Sequence, residues 1–140
     1  MSSFPRVVRI RQSFQPTPPV DIPAAVAVEM AKLRPQLRPG ARIAVGVGSR
    51  GITNLRAIVG AVIAELRAAG TQPFIIPAMG SHGGATPDGQ RDLLGTYEIT
   101  EATMAVPIRA SLDVREVGRT AESAAVFCST EALAADGIIV

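Results

Sequence analysis

The sequence predicts an α/β domain in which helices cover a mostly parallel sheet. Two apolar runs, residues 41–47 and 74–79, each end in a loop that contains glycine, and residues 55–66 between them are amphipathic with a helical period. A third apolar run, residues 138–140, follows a short helix-forming segment. A strand, a helix and a strand at this spacing form a βαβ unit, whose strands are parallel neighbours. We therefore expect a Rossmann-like sheet in a single domain over 1–140.

The first third of the chain predicts a strand, a connector and a helix. Residues 6–12 alternate in part between apolar and charged side chains, which is typical of a half-exposed edge strand. With the stiff proline-rich connector that follows it, this strand makes up residues 1–20. Asp21 is positioned to cap a helix over 24–33, because Pro23 then falls in the first turn, where its missing N–H costs no hydrogen bond.

The middle of the chain predicts a central strand and the clearest helix of the sequence. The run at 41–47 is apolar on both faces, which favours a strand covered by helices on each side. Thr53 or Asn54 is positioned to cap the helix that follows, and Gly70 lies where a left-handed C-terminal cap is expected. The predicted buried face of this helix consists of Leu55, Ile58, Val59, Val62, Ile63 and Leu66.

The second half of the chain predicts shorter elements. Thr86 begins a helix that reaches Leu94, and a second helical turn follows Thr100. Three short strands and a short helix are predicted at 107–110, 112–117, 125–128 and 131–135. The run that begins at Ile138 has the composition of a buried parallel strand, and such strands normally continue into a polar loop. We therefore expect this sequence to be the N-terminal part of a longer protein, incomplete at its C-terminal end.

Composition and charge exclude several classes of partner. Apolar residues make up 47% of the chain and charged residues 19%, which indicates a folded domain, and the net charge of +2 is too small to predict binding to nucleic acid or an anionic membrane. No apolar run approaches the ~20 residues of a membrane span, and the first residues lack the features of a signal peptide, so a cytoplasmic protein is expected. The single cysteine, Cys128, excludes an internal disulfide, and one histidine with one cysteine gives no zinc-binding pattern.

Chemically active side chains follow both predicted strands, at the carboxyl edge of the sheet. Arg50 lies in the first loop and His82, the only histidine, in the second, and the roots of the two loops are about one strand spacing, ~5 Å, apart. An arginine binds a carboxylate through two parallel hydrogen bonds, and a histidine takes or gives a proton near neutral pH. The pair predicts proton or hydride chemistry on a small 2-hydroxy or 2-oxo acid. The predicted catalytic residue is His82, and the predicted binding residues are Gly48, Ser49, Arg50, Ser81, Gly83 and Gly84.

Two other interpretations remain open. Residues 46–51 read G-x-G-x-x-G after a strand and before a helix, a pattern that binds the pyrophosphate of a dinucleotide. Against it, Gly46 falls inside the predicted strand, the helix begins several residues after Gly51, and the next strand ends without an acidic residue for a ribose. The domain could also be non-catalytic, with His82 an ordinary loop residue and Arg50 a solvated side chain or a partner of Asp88.

The two loops resemble those of the N-terminal domain of the nickel-dependent lactate racemase family. The run Ile43-Ala-Val-Gly-Val-Gly-Ser-Arg50 is similar to the family's strand that ends in an Asp-x-Thr-Arg type of loop. Met79-Gly-Ser-His82 is similar to its Gly-x-His loop, which precedes a helix that starts with proline and hydroxyl residues. The resemblance covers most of the chain from Arg42 onwards, and the order of elements over 112–140 is also similar.

The resemblance implies an isomerase that racemises or epimerises 2-hydroxy acids with a nickel pincer nucleotide attached to a lysine. In that family the cofactor takes hydride from C2 and returns it to the other face, while two histidines take and return the hydroxyl proton. His82 corresponds to one of these histidines, and Arg50 to an arginine near substrate and cofactor. The second histidine, the nickel-binding histidine and the cofactor lysine are expected in a C-terminal remainder, because the only lysine, Lys32, is on the first helix. We expect this chain alone to be inactive and free of nickel.

Two departures from the family pattern bear on the substrate. Glycine, at about Gly48, replaces the acidic residue that precedes the family's arginine, and Gly83 replaces the arginine that follows its histidine. Both departures favour a divergent subgroup whose substrate is a hydroxy acid other than lactate.

Overall fold

A computed structural model describes residues 7–15 and 18–140 of the protein and confirms the α/β fold. In chain order, the elements are α1 (Ile22–Leu33), β1 (Arg42–Val47), α2 (Leu55–Ala68), β2 (Gln72–Pro77), α3 (Pro87–Thr96), α4 (Glu101–Met104), β3 (Val114–Arg119), β4 (Ala125–Ser129), α5 (Thr130–Leu133) and β5 (Gly137–Ile139), with 3₁₀ turns at Arg34–Gln36 and Gly83–Ala85.

The main sheet is parallel and has β1 at its centre. Strand β2 pairs with β1 over its whole length and β5 pairs with the other side of β1, which confirms the predicted βαβ unit and the parallel third strand. The strand predicted at 107–110 is reduced to one bridge between Ile108 and Ile75, in which the Ile75 N–H donates to Pro107 and the Arg109 N–H donates to Ile75. Strand β1 is therefore the predicted central strand.

Local sequence signals explain where the helices begin and end. The carboxylate of Asp21 accepts a hydrogen bond from the Ala24 N–H at 3.1 Å, so the predicted cap of α1 is confirmed. Gly70 has a φ of +77°, the left-handed conformation expected after α2. Asn54 precedes α2 with a φ of +62° and makes no side-chain capping bond, so the predicted side-chain cap of α2 is wrong.

The core lies on both faces of the main sheet. Alternate residues of β1 and β2 pack on one side against α1, α2 and the segment from α3 to α4, and this cluster includes the fully buried Leu66, Leu94 and Ile99. On the other side, Phe74 and its neighbours in the sheet pack against Ala132 of α5. A sheet covered on both faces explains why its strands are apolar throughout.

One prediction about strands is wrong. Residues 7–12 form neither a strand nor a helix and their side chains are exposed, so the predicted edge strand is not present there; Arg6 lies outside the described residues. The strands predicted at 112–117 and 125–128 are confirmed as β3 and β4, which pair with each other in a separate antiparallel hairpin. Strand β5 is less buried than expected, because among the described strands it pairs with β1 alone, and Ile138 remains 49% exposed.

Two valines on neighbouring helices test the packing of α2 against the sheet. Val59 of α2 is 5% exposed, whereas Val28 of α1 is 63% exposed. Val59→Ala should lower the free energy of unfolding by about 2 kcal/mol, because it leaves a cavity in the core. Val28→Ala removes the same two methyl groups from the surface and should change it by less than about 0.5 kcal/mol. Denaturant unfolding of both variants measures the difference, and equal losses would contradict the packing described here.

Candidate functional site at the carboxyl edge of the sheet

Parallel pairing brings the two predicted loops together. Val47, the last residue of β1, lies opposite Pro77, the last residue of β2, and the Ala78 N–H continues the ladder by donating to the Val47 carbonyl at 2.8 Å. The loops that carry Arg50 and His82 therefore leave the same edge of the sheet side by side, as the sequence predicts.

A hydrogen bond joins the two loops. Oγ of Ser49 lies 2.6 Å from Nδ1 of His82. The Ser49 residue is buried, with 9% of its surface exposed, whereas His82 is exposed. Ser49 was predicted as a binding residue. Its hydrogen bond to His82 was not predicted, because 33 residues separate the two and no motif links them. This bond holds the imidazole by its Nδ1 edge, and Nε2 has no hydrogen-bond partner among the described residues.

Two side chains outside the predicted site hold the two loops in place through hydrogen bonds to their backbone. The buried Gln90 of α3 donates from Nε2 to the Gly80 carbonyl at 2.8 Å, and the Tyr97 hydroxyl, just after α3, donates to the Ser49 carbonyl at 3.0 Å. Each loop is thus attached to the same helix through one backbone oxygen. Neither Gln90 nor Tyr97 was predicted as a site residue. The only signal for either was that Gln90, a polar residue, lies on a helix face that the structure shows to be buried.

The backbone of the His82 loop packs directly on the first turn of α3. Gly83 has a φ of +67°, and a Cβ built there would lie 2.5 Å from the Gln90 nitrogen and touch Gly89 as well. Gly84 has a similar φ of +66° but has no atom within 4 Å of a built Cβ. A side chain at position 83, such as the arginine of the family pattern, is therefore incompatible with this loop conformation, whereas Gly84 faces open space.

Arg50 lines a shallow cleft between the two loops. The cleft has a volume of about 380 Å³ and is lined by Gly48, Ser49, Arg50, Ile52, Ala78, Met79 and Gly80. Within the described parts of the chain, Arg50 makes no ion pair, and Asp88 pairs instead with Arg91 at 3.2 Å. The predicted alternative of an Arg50–Asp88 pair is therefore wrong. Ser81, His82, Gly83 and Gly84 do not line the cleft, but the bond to Ser49 places the imidazole at its border.

The glycines of the G-x-G-x-x-G pattern have structural roles that do not suit a dinucleotide. Gly46 lies within β1 opposite Ile76, and a Cβ built there would lie 3.1 Å from a methyl group of Val140. Gly51 has a φ of +59°, and α2 begins only at Leu55. The loop is too long to place its glycines on the first turn of α2, where a pyrophosphate would bind.

The described residues do not by themselves fit the attachment of a nickel pincer nucleotide. Lys32 lies near the end of α1, roughly 15 Å along the helix from Ile22, and its ammonium pairs with the Glu29 carboxylate at 2.7 Å. Among residues 7–15 and 18–140, no group of three histidine, cysteine or acidic side chains is arranged to hold a metal ion. Neither the cofactor lysine nor a metal ligand set can therefore be identified in this part of the protein.

Comparison with protein families, curated proteins and solved structures finds no match to this chain. In the part of the chain that the structure describes, no helix has both the length and the apolar composition needed to cross a lipid bilayer.

Gly83 and Gly84 form a matched pair that tests the contact between the loop and α3. Alanine at either position takes up a left-handed conformation, which costs about 1–2 kcal/mol. Gly83→Ala also drives a methyl group into the backbone of Gly89, so it should destabilise the protein by about 2 kcal/mol more than Gly84→Ala. Thermal and denaturant unfolding measure both values. If the two variants lost the same stability, the loop would not pack on α3 as described.

Proposed function

We propose that this chain supplies the acid/base group and the carboxylate-binding group of an isomerase that acts on a 2-hydroxy acid. The observation that carries the proposal is the Ser49–His82 hydrogen bond, which holds the one histidine of the chain beside a cleft lined by Arg50. The enzyme would be a racemase or epimerase, as in the lactate racemase family that the two loops resemble.

The roles of the two side chains follow from their chemistry. The Arg50 guanidinium is exposed and has no acidic partner among the described residues, so it is available for the substrate carboxylate. The imidazole of His82 would exchange a proton with the oxygen on C2. A carboxylate carbon and C2 are directly bonded, so both groups must act within a small volume. The two loops leave one edge of the sheet side by side, which supports such an arrangement.

The hydride step needs groups beyond these. A nickel pincer nucleotide would accept and return hydride at C2, and its lysine and metal ligands would belong to a remainder of the enzyme that completes the site. The residues of this chain bind and orient the acid and transfer a proton; we derive no step through the cofactor from them. The isolated chain should therefore not interconvert enantiomers.

The substrate we favour is not lactate. Arg50 is the only arginine among the described residues that line the cleft, and Gly83 stands in a position where a side chain would meet the backbone of α3. With Gly48 in place of an acidic residue, the cleft also lacks a carboxylate on the Arg50 side. Less side-chain volume and fewer charges favour a larger hydroxy acid than lactate.

Two alternatives of other classes remain. A nucleotide or phosphate could bind through the glycines of 46–51, although the distance from Gly51 to the start of α2 disfavours it. A non-catalytic domain would keep the fold for assembly only, and in that case Arg50 would have no ligand.

A binding experiment on the chain distinguishes these functions. A panel of 2-hydroxy acids, NAD and inorganic phosphate is titrated by calorimetry and by NMR of the His82 ring, whose signals are unambiguous because the chain has a single histidine. We expect a 2-hydroxy acid to bind and to shift the His82 signals. Arg50→Gln should weaken that binding at least about ten-fold, the effect of losing a charged hydrogen bond worth about 1.5 kcal/mol or more.

The matched control is Arg115→Gln, which removes the same charge from the exposed hairpin strand β3. It should leave the affinity unchanged. Binding of NAD or phosphate in place of the acids would support the nucleotide alternative. Absence of any binding, or equal loss in both variants, would contradict the proposal.

Metal analysis gives a separate prediction. The purified chain should contain no stoichiometric nickel after incubation with the metal, because the ligands expected for it lie outside the described residues. Inductively coupled plasma mass spectrometry measures the ratio of nickel to protein. A ratio near one would overturn the assignment of the metal ligands to a C-terminal remainder.

A further inference from the structure

The direction of the Ser49–His82 hydrogen bond determines what His82 offers a ligand. A serine hydroxyl has one proton and can also accept, and a neutral imidazole carries one proton, on either Nδ1 or Nε2. If the hydroxyl donates to Nδ1, the ring proton is on Nε2. If Nδ1–H donates to Oγ, Nε2 is bare and the hydroxyl proton needs another acceptor.

The surroundings of Ser49 favour donation by the hydroxyl. The residue is 9% exposed, and among the described residues the Oγ atom makes a single hydrogen bond, the one to Nδ1 at 2.6 Å. An Nδ1–H donor would leave the hydroxyl proton of the largely buried Ser49 without a protein acceptor among the described residues, which is unfavourable.

We propose that Ser49 is a positioning residue that holds neutral His82 with its proton on Nε2. The ring is exposed, and Nε2 has no partner in the described residues, so the Nε2–H is free to donate to a ligand. The Arg50 guanidinium also only donates, so the side chains of His82 and Arg50 both present hydrogen-bond donors in the resting site. These donors favour ligands whose groups are acceptors, such as the carboxylate and the C2 oxygen of a 2-oxo acid, whereas taking the hydroxyl proton of a 2-hydroxy acid requires the other tautomer, in which Nε2 is bare. The choice of ligand class rests on the function proposed above; the position of the proton does not.

The single histidine makes the position of its proton measurable. In the ¹⁵N-labelled chain, at a pH where the ring is neutral, long-range proton–nitrogen correlation gives one pair of ring nitrogens, both from His82. We expect the shift of a protonated nitrogen at Nε2 and that of a bare nitrogen at Nδ1. Ser49→Ala should lower the ratio of the Nε2–H to the Nδ1–H form by about five-fold, the factor that corresponds to one ordinary hydrogen bond.

Ser49→Thr is the matched variant, because it keeps a hydroxyl at the same position and should restore the wild-type ratio. A purely structural role of Ser49 would alter stability without moving the ratio. Predominance of the Nδ1–H form in the wild-type chain, or an equal ratio in the alanine variant, would overturn the proposal, and the wild-type measurement stands even if a variant fails to fold.

The ligand class is tested with acids that differ at C2. A 2-hydroxy acid or 2-oxo acid should bind at least about ten-fold more tightly than the corresponding 2-amino acid, whose ammonium group cannot accept the Nε2 proton. Equal affinities would contradict donation by the Nε2–H of His82. The nitrogen shifts are recorded without any ligand, so they test the position of the His82 proton independently of the proposed reaction. Either proposal can therefore be contradicted while the other stands.

Discussion

The contact between the backbones of Gly83 and Gly89 determines where the imidazole of His82 lies. Both residues lack a Cβ, so the His82 loop rests directly on the first turn of α3, closer than any side chain would permit. The same helix binds the loop carbonyl of Gly80 through Gln90. The loop is thus positioned by close packing and one buried hydrogen bond, and a group held in this way is preorganised for a ligand.

The register of β1 and β2 places the loop that contains Arg50 beside the loop that contains His82. Because the strands are parallel and end at the same level, a hydrogen bond as short as that between Ser49 and His82 can form between their loops. Tyr97, at the end of α3, attaches the first loop as Gln90 attaches the second. One helix therefore fixes both halves of the site, and a change in its position would move both loops together.

Local signals in the sequence were sufficient for most of the fold but not for its pairings. Asp21, Gly70 and the buried face of α2 each follow from rules that act within a few residues, so they could be predicted. Residues 7–12 have the alternation of a strand, but a strand also needs a neighbouring strand to pair with, and no segment among the described residues pairs with them. At the site, glycine loops and Arg50 were visible in the sequence, whereas contacts such as Ser49–His82 depend on distances across the sheet that no local pattern encodes.

Gly83 connects the fold to the proposed choice of substrate. An arginine at this position would need a different loop, because its Cβ would meet the backbone of α3. Glycine permits the close contact that positions His82, and Arg50 is the only cation among the described residues that line the cleft. A single guanidinium binds one carboxylate bidentately. In the proposed function, further polar selectivity would come from the free ring nitrogen of His82, and the hydroxyl of Ser49 would then determine whether that nitrogen carries a proton.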